Sequence, residues 1–406
     1  MRSLLCFAAL GLLAACRPSS DPAAPAPALS FPSKPAWPDR PLPAAPDAGR
    51  LVVTNHFDDT ISFFDFSKVG EPVFPELARW PVGINPIELE APHHAAISAA
   101  GDFFYVALTN FAPGLATGPH AAHGTADVNG SVLKIRASDH RTVGTTRVDR
   151  NPGDLALSPD GTLLAVAHFD LLRITEASRG EVPEPDARVV LVTAETMEVK
   201  ARVRVCPAPH GVLFSKDGKR LYVACYSDEV AIVRLDAPDF PVTRVKVASN
   251  AGDAYRAIYQ PYALAESPLT GDVFISCPAS GEVRVLKADT LTLDPARSRL
   301  VGGTPLTSAF SADGKSLWVP HQGDDRISEL DPATGTQLRQ LTPTKGSCTN
   351  VHSVLPTPDG RFLIAVCEGF HVLPGTLVVL DTQTGATLSV TEVGVYPDSV
   401  GLLRTR

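Results

Sequence analysis

The chain has no surplus of basic charge. Its 36 Lys and Arg stand against 44 Asp and Glu, for a formal net charge of −8. A nucleic-acid partner needs a positive stripe to neutralise phosphates, so that class is excluded. Beyond the first residues no apolar run is long enough to span a bilayer. No CxxCH run offers covalent haem attachment, and GxSxG, P-loop and HExxH stretches are missing too. The commonest routes to hydrolysis and phosphoryl transfer therefore have no visible machinery.

What the sequence has instead is a repeat. Residues 209–225, PHGVLFSKDGKRLYVAC, read as two short strands around a tight Asp217-Gly218 turn, with Gly218 supplying positive φ. Comparable stretches begin at Pro92, Pro152, Pro261, Pro305 and Val351, with turn glycines Gly101, Gly161, Gly271, Gly314 and Gly360. A further first strand begins at Pro397, close to the end of the sequence. Each hairpin is followed by a third strand, such as DEVAIVRLD or GTLVVLD, and several by a fourth. Four β-rich strands per period predict an all-β fold, a seven-bladed β-propeller of four-stranded antiparallel blades. The last blade needs its C-terminal strand to pair with N-terminal strands over 49–65, which ties the ring shut.

The N-terminus reads differently. Met1-Arg2 is basic, an apolar stretch follows, and Leu13-Ala14-Ala15-Cys16 resembles a bacterial lipobox. The resemblance implies a signal peptide over 1–15 and lipidation of Cys16, with two acyl chains giving stable membrane anchoring. Arg17 after the cysteine favours the outer membrane over the inner. Residues 16–48 carry the anchor and a Pro/Ala-rich, polyproline-like tether. The propeller takes 49–406.

Arg50–Asn55 (RLVVTN) followed by Thr60–Asp65 (TISFFD) resembles the YVTN family of propeller repeats, a fold shared with lactonases. The long segments 109–130 and 169–186 fall between second and third strands, and 66–92 reads as a long connector. All three belong to one face of the ring, where function is expected.

Two sets of aligned positions point to that face. The residue after each leading Pro or Val is His93, Gly153, His210, Tyr262, Leu306, His352 or Asp398. These positions open the innermost strands beside the central channel. The ends of the second strands carry Leu108, His168, Cys225, Cys277, His321 and Cys367. His94, His120 and His123 are further imidazoles of the same region. His93, His210 and His352, with His168 and His321, are candidate channel-mouth ligands for copper, zinc or iron. The competing reading has each imidazole bonded to backbone at a strand end. Cys206 and Cys225 bracket one hairpin as Cys348 and Cys367 bracket another. This predicts disulfides Cys206–Cys225 and Cys348–Cys367, with Cys277 a buried thiol; cysteine–histidine metal ligation is the alternative. Asp58-Asp59 and Asp324-Asp325 read as turn caps.

The function expected is that of an exported, lipid-anchored, non-catalytic binding or scaffold protein. Its long-loop face would meet a protein, glycan or small ligand. One alternative is a redox-associated propeller with a histidine-lined metal site or a haem-protein partner. The other, implied by the family resemblance, is a lactonase-type hydrolase.

Overall fold

A computed structural model describes residues 49–85, 88–110 and 124–404. The signal, Cys16, the tether, His120 and His123 lie outside the described residues. Seven four-stranded antiparallel sheets form the ring. The first blade runs outward as Pro397–Leu403, Arg50–Asn55, Thr60–Asp65 and Glu76–Pro81, so the two ends of the propeller share one sheet. Val400 and Leu402 pair with Val53 and Leu51 in that closure. The connector expected over 66–92 thus holds the outer strand Glu76–Pro81 of this blade. Proline on both sides of ELARWP hid that strand, because proline tolerates only strand ends and edges.

Blades pack face to face, and their strands read as nearly continuous apolar runs because both faces are covered. Arg50–Asn55 shows the logic. Leu51 and Val53 join Ile364, Val366 and Val379 of the seventh blade. Val52 turns the other way, onto Phe104, Val106 and Leu133 of the second. Burying each such side chain contributes on the order of 1.5–3 kcal/mol.

Both disulfides are present, Cys206–Cys225 and Cys348–Cys367, with Cα separations of 6.0 and 5.2 Å. Cys277 is free and buried. The pairing is as expected from the sequence, but the two ends of one hairpin are not what it joins. Pro209 lies opposite Cys225, and Val351 opposite Cys367. Cys206 belongs to Val199–Pro207, the outer strand of the third blade, where it pairs with Ala187. Its disulfide therefore crosses from one blade to the next. Two disulfides point to an oxidising, non-cytoplasmic compartment. No helix among the described residues is long and apolar enough to cross a membrane.

Segment 169–186 folds into a short helix, Leu171–Ser178, capped by the Asp170 carboxylate on the Arg173 amide.

Candidate metal centre

Each inner strand is entered through the same backbone device. The residue two before every channel-lining position has left-handed φ: Ala91, Asn151, Ala208, Gln260, Thr304, Asn350 and Tyr396, all between 39° and 60°. None is glycine, so the surrounding structure has to hold each one there. Buried or half-buried aspartates help to do so. Asp59 accepts the Glu90 and Ala91 amides, and Asp325 the Asn350 amide. Asp228 accepts four, from Gly252, Ile258, Tyr259 and Gln260. The second carboxylate of each pair singled out in the sequence thus holds connector backbone from a distant part of the chain.

After the kink comes a β-bulge. Pro92 pairs with Leu108 and Ala95 with Val106, so His93 and His94 together face Ala107 alone. Gly153-Asp154, His210-Gly211 and Asp398-Ser399 occupy equivalent bulges. Two residues opposite one break the strict alternation and re-aim side chains, as bulges beside functional sites commonly do. Strict alternation would send His94 and Asp154 away from their neighbours; here both reach the channel.

The result is a buried cluster centred on Asp398. Oδ2 of its carboxylate lies 2.8 Å from His93 Nε2 and 3.8 Å from His56 Nδ1. Oδ1 lies 3.1 Å from His352 Nε2 and 3.5 Å from His94 Nε2. All five residues are at most 7% exposed. Yet neither Asp398 oxygen has a donor in hydrogen-bonding alignment. His210 stands beside the cluster, with its ring centre 5.5 Å from that of His93 and 5.7 Å from that of His94. It stacks on Tyr262 at 3.6 Å.

Three of these imidazoles are held from behind. His93 Nδ1 lies 3.0 Å from the Gly153 carbonyl. His94 Nδ1 lies 3.1 Å from Asp154, and His352 Nδ1 meets Glu368. A carbonyl can only accept, so His93 donates from Nδ1 to Gly153, and its Nε2 is the atom that faces Asp398. A carbonyl or carboxylate behind each ring is the outer-shell pattern of metal-binding histidines. Glu368 is itself held by Gln322 Nε2 at 2.7 Å and His371 Nε2 at 2.6 Å.

The charge states follow from burial and neighbours. Burial pushes His56 and His352 down to about 4 and lowers His93 as well. Burial also opposes charge on His94, but Asp154 and Asp398 outweigh it and raise this ring to about 9. Burial alone would raise Asp398; His352, His93 and His94 together hold it well below the usual carboxylate range. Burial raises Glu368 to about 8. Burial thus favours neutral rings able to ligate at His56, His93 and His352, whereas His94 holds a proton that a bound metal ion would displace.

Of the candidates from the sequence, His93, His210 and His352 converge here and His168 and His321 do not. His168 Nδ1 meets the Arg188 carbonyl at 2.8 Å, and its Nε2 accepts the Asp149 amide. His321 lies between the Gly302 carbonyl and Ser328. These two rings, at the ends of second strands, bond across to their surroundings. The residue after that column is the one that reaches the channel mouth: His56, Phe169, Gln322 and Glu368. The signal was present one position along the same alignment. Cys225 and Cys367 are held in their disulfides.

No family model matches the chain. Among curated proteins, the glycine–tRNA ligase beta subunit of Aromatoleum aromaticum is 26% identical over 220 residues, or 47% of this chain. The chain spans 31% of that relative's length. Solved structures share the propeller fold. The periplasmic gluconolactonase PpgL of Pseudomonas aeruginosa superposes with a TM-score of 0.61 at 18% identity, over 87% of this chain and 98% of its own. Dihydro-heme d1 dehydrogenase NirN gives 0.58 at 15% identity, over 91% and 79%. Hydrazine synthase of Kuenenia stuttgartiensis gives 0.56 at 18% identity, over 74% and 79%. At these identities the likeness establishes the fold and nothing finer.

Proposed function

We propose that this chain is an exported, lipid-anchored, non-catalytic binding propeller whose hub takes up a divalent first-row transition-metal ion. The observation that carries the reading is the Asp398 carboxylate, buried among His56, His93, His94 and His352 without an aligned hydrogen bond. In tetrahedral or octahedral geometry, nitrogen and oxygen ligands about 2.0–2.2 Å from a metal stand roughly 2.8–3.6 Å from one another. The N···O separations of 2.8, 3.1 and 3.5 Å around Asp398 fall in that range, and the fourth, 3.8 Å to His56, lies just beyond it. Imidazole and carboxylate donors without thiolate suit copper(II), zinc(II) or iron(II). The loop face above the hub supports a role in presentation to a partner, since Phe370, Val372 and Leu373 stand exposed beside His371. The lipobox-like Leu13–Cys16 sequence and the disulfides support export and anchoring.

The test is elemental analysis and equilibrium dialysis of the purified protein, before and after reconstitution with copper(II) and zinc(II). Retention of metal by the wild type and its loss in a His93→Ala/Asp398→Ala double variant are expected. A wild type that holds neither ion after reconstitution defeats the reading.

A second reading, lactonase-type hydrolysis, is favoured by Glu368. This buried acid, shared between His352 and His371, is an acid–base group of the kind hydrolysis needs. Turnover across a panel of lactones, abolished by Glu368→Gln, would establish it; an inactive wild type removes it.

A further inference from the structure

We infer that the hub is built for two metal ions bridged by the Asp398 carboxylate. This rests on the metal-binding reading above and adds the number of ions and the assignment of ligands. The two oxygens of Asp398 face different histidine pairs. Oδ2 faces His93 and His56; Oδ1 faces His352 and His94. Ligating atoms of His56, His93 and Asp398 lie within 4.8 Å of one another, and so do those of His94, His352 and Asp398. These two triads share one residue, and within it each uses its own oxygen. A carboxylate spanning two ions in this way sets them at the separation of about 3.5–4 Å found in two-metal sites.

Electrostatics favour the same assignment. His93 and His94 meet acceptors at Nδ1, from Gly153 and Asp154, and turn Nε2 toward Asp398. Two cations, one on each side, satisfy both oxygens. The buried charge is then partly balanced, because Asp154 and Glu368 stand directly behind His94 and His352. His210 forms a third group with His93 and His94 that contains no carboxylate. It meets one ring of each Asp398 triad, and neither of those triads depends on it.

The fold explains how one residue comes to bridge. Asp398 is the channel position of Pro397–Leu403, the strand that closes the ring. His93 and His94 enter from the inner strand of the next blade, and His352 from that of the preceding one. His56 comes from the first blade itself, after Arg50–Asn55. Asp398 is thus flanked on both sides by imidazole-bearing blades.

The experiment is metal stoichiometry on the full chain, stripped with chelator and then titrated with zinc(II), alongside spin quantitation of the copper(II)-loaded form. Two zinc ions per chain are expected. The copper form should show a spin-coupled signal integrating to well under two spins. His56→Ala and His352→Ala should each leave one ion per chain, and His210→Ala should leave two. Asp398→Asn should lose an ion or uncouple the spins, with circular dichroism checking that each variant keeps its β-sheet spectrum. A single ion that His210→Ala removes and His56→Ala does not would overturn the bridged pair while leaving metal binding standing. Two uncoupled spins indifferent to Asp398→Asn would overturn the bridge as well. Failure to bind zinc or copper at all removes the inference together with the reading it rests on.

Discussion

His93 Nε2 and Asp398 Oδ2 meet at 2.8 Å across the seam where the ring closes. Asp398 belongs to the strand that completes the first blade, and His93 opens the second. The contact therefore reports closure as well as chemistry. In metal-free protein, Asp398→Ala removes one of the two counter-charges of the buried His94 cation, the nearer Asp154 staying in place. The loss is therefore expected below the ~3–5 kcal/mol of a fully broken buried pair. Urea unfolding in the presence of chelator measures it, with Asp398→Asn expected to lose less because it keeps the side chain's shape. An Asp398→Ala variant as stable as wild type would show that Asp398 adds nothing to the counter-charge that Asp154 gives His94.

His140 provides a pH dependence away from the hub. Its ring stacks on Phe63 at 4.0 Å, and burial together with Arg50 lowers it to about 3. Unfolded, the ring titrates near 6.5. Between these values the unfolded chain binds a proton that the folded chain refuses, so stability rises with pH through this window. The contribution is complete above about 6.5 and is lost as pH falls toward 3, by about 1.4 kcal/mol per pH unit. His140→Phe should flatten the wild-type curve by that slope between pH 4 and 6 (roughly the middle of the window). Parallel stability curves for the two proteins would refute it.

Cys206–Cys225 pins one blade to the next, and Cys348–Cys367 pins the connector before the seventh blade to that blade. Each closes a loop with a sequence separation of 19, which the loop-entropy relation values at about 3 kcal/mol. A Cys206→Ser/Cys225→Ser variant should unfold at lower denaturant by about that amount. A full chain carrying Cys6→Ser and Cys16→Ser should expose a single thiol, Cys277, when denatured without reductant, and five after reduction. Five thiols before reduction would contradict both bonds.

Asp228 organises the approach to Tyr262. Its carboxylate is 0% exposed and accepts the amides of Gly252, Ile258, Tyr259 and Gln260 at 2.7–2.8 Å. Asp228→Ala leaves these donors without their acceptor, at about 1–3 kcal/mol for each one that stays buried. A loss of at least about 3 kcal/mol in urea unfolding is expected, with faster amide exchange at 258–260. Unchanged exchange there would mean that the connector is held by other contacts.

Much of the architecture was legible before any coordinates. The Asp-Gly turns, the apolar strands and the short final strand determine seven blades and their closure, because turn chemistry and strand periodicity are local. The same alignment brought out His93, His210 and His352, since equivalent positions of a repeat return to equivalent places on the ring; it placed Asp398 in that column without marking it as a ligand.

The hub's chemistry was decided elsewhere. His94 and Asp154 reach the channel only through bulges, which depend on how neighbouring inner strands fit together. His56, Gln322 and Glu368 lie one residue beyond the column that strand periodicity selects. His168 and His321 satisfy that periodicity and still bond away from the centre. Cys206 and Cys348 find their partners because a left-handed residue turns the chain from one blade into the next. The sequence alone determined the blades, whose instructions are carried by adjacent residues. Only the tertiary structure determined which side chains surround Asp398, because they arrive from separate blades and meet where the ring closes.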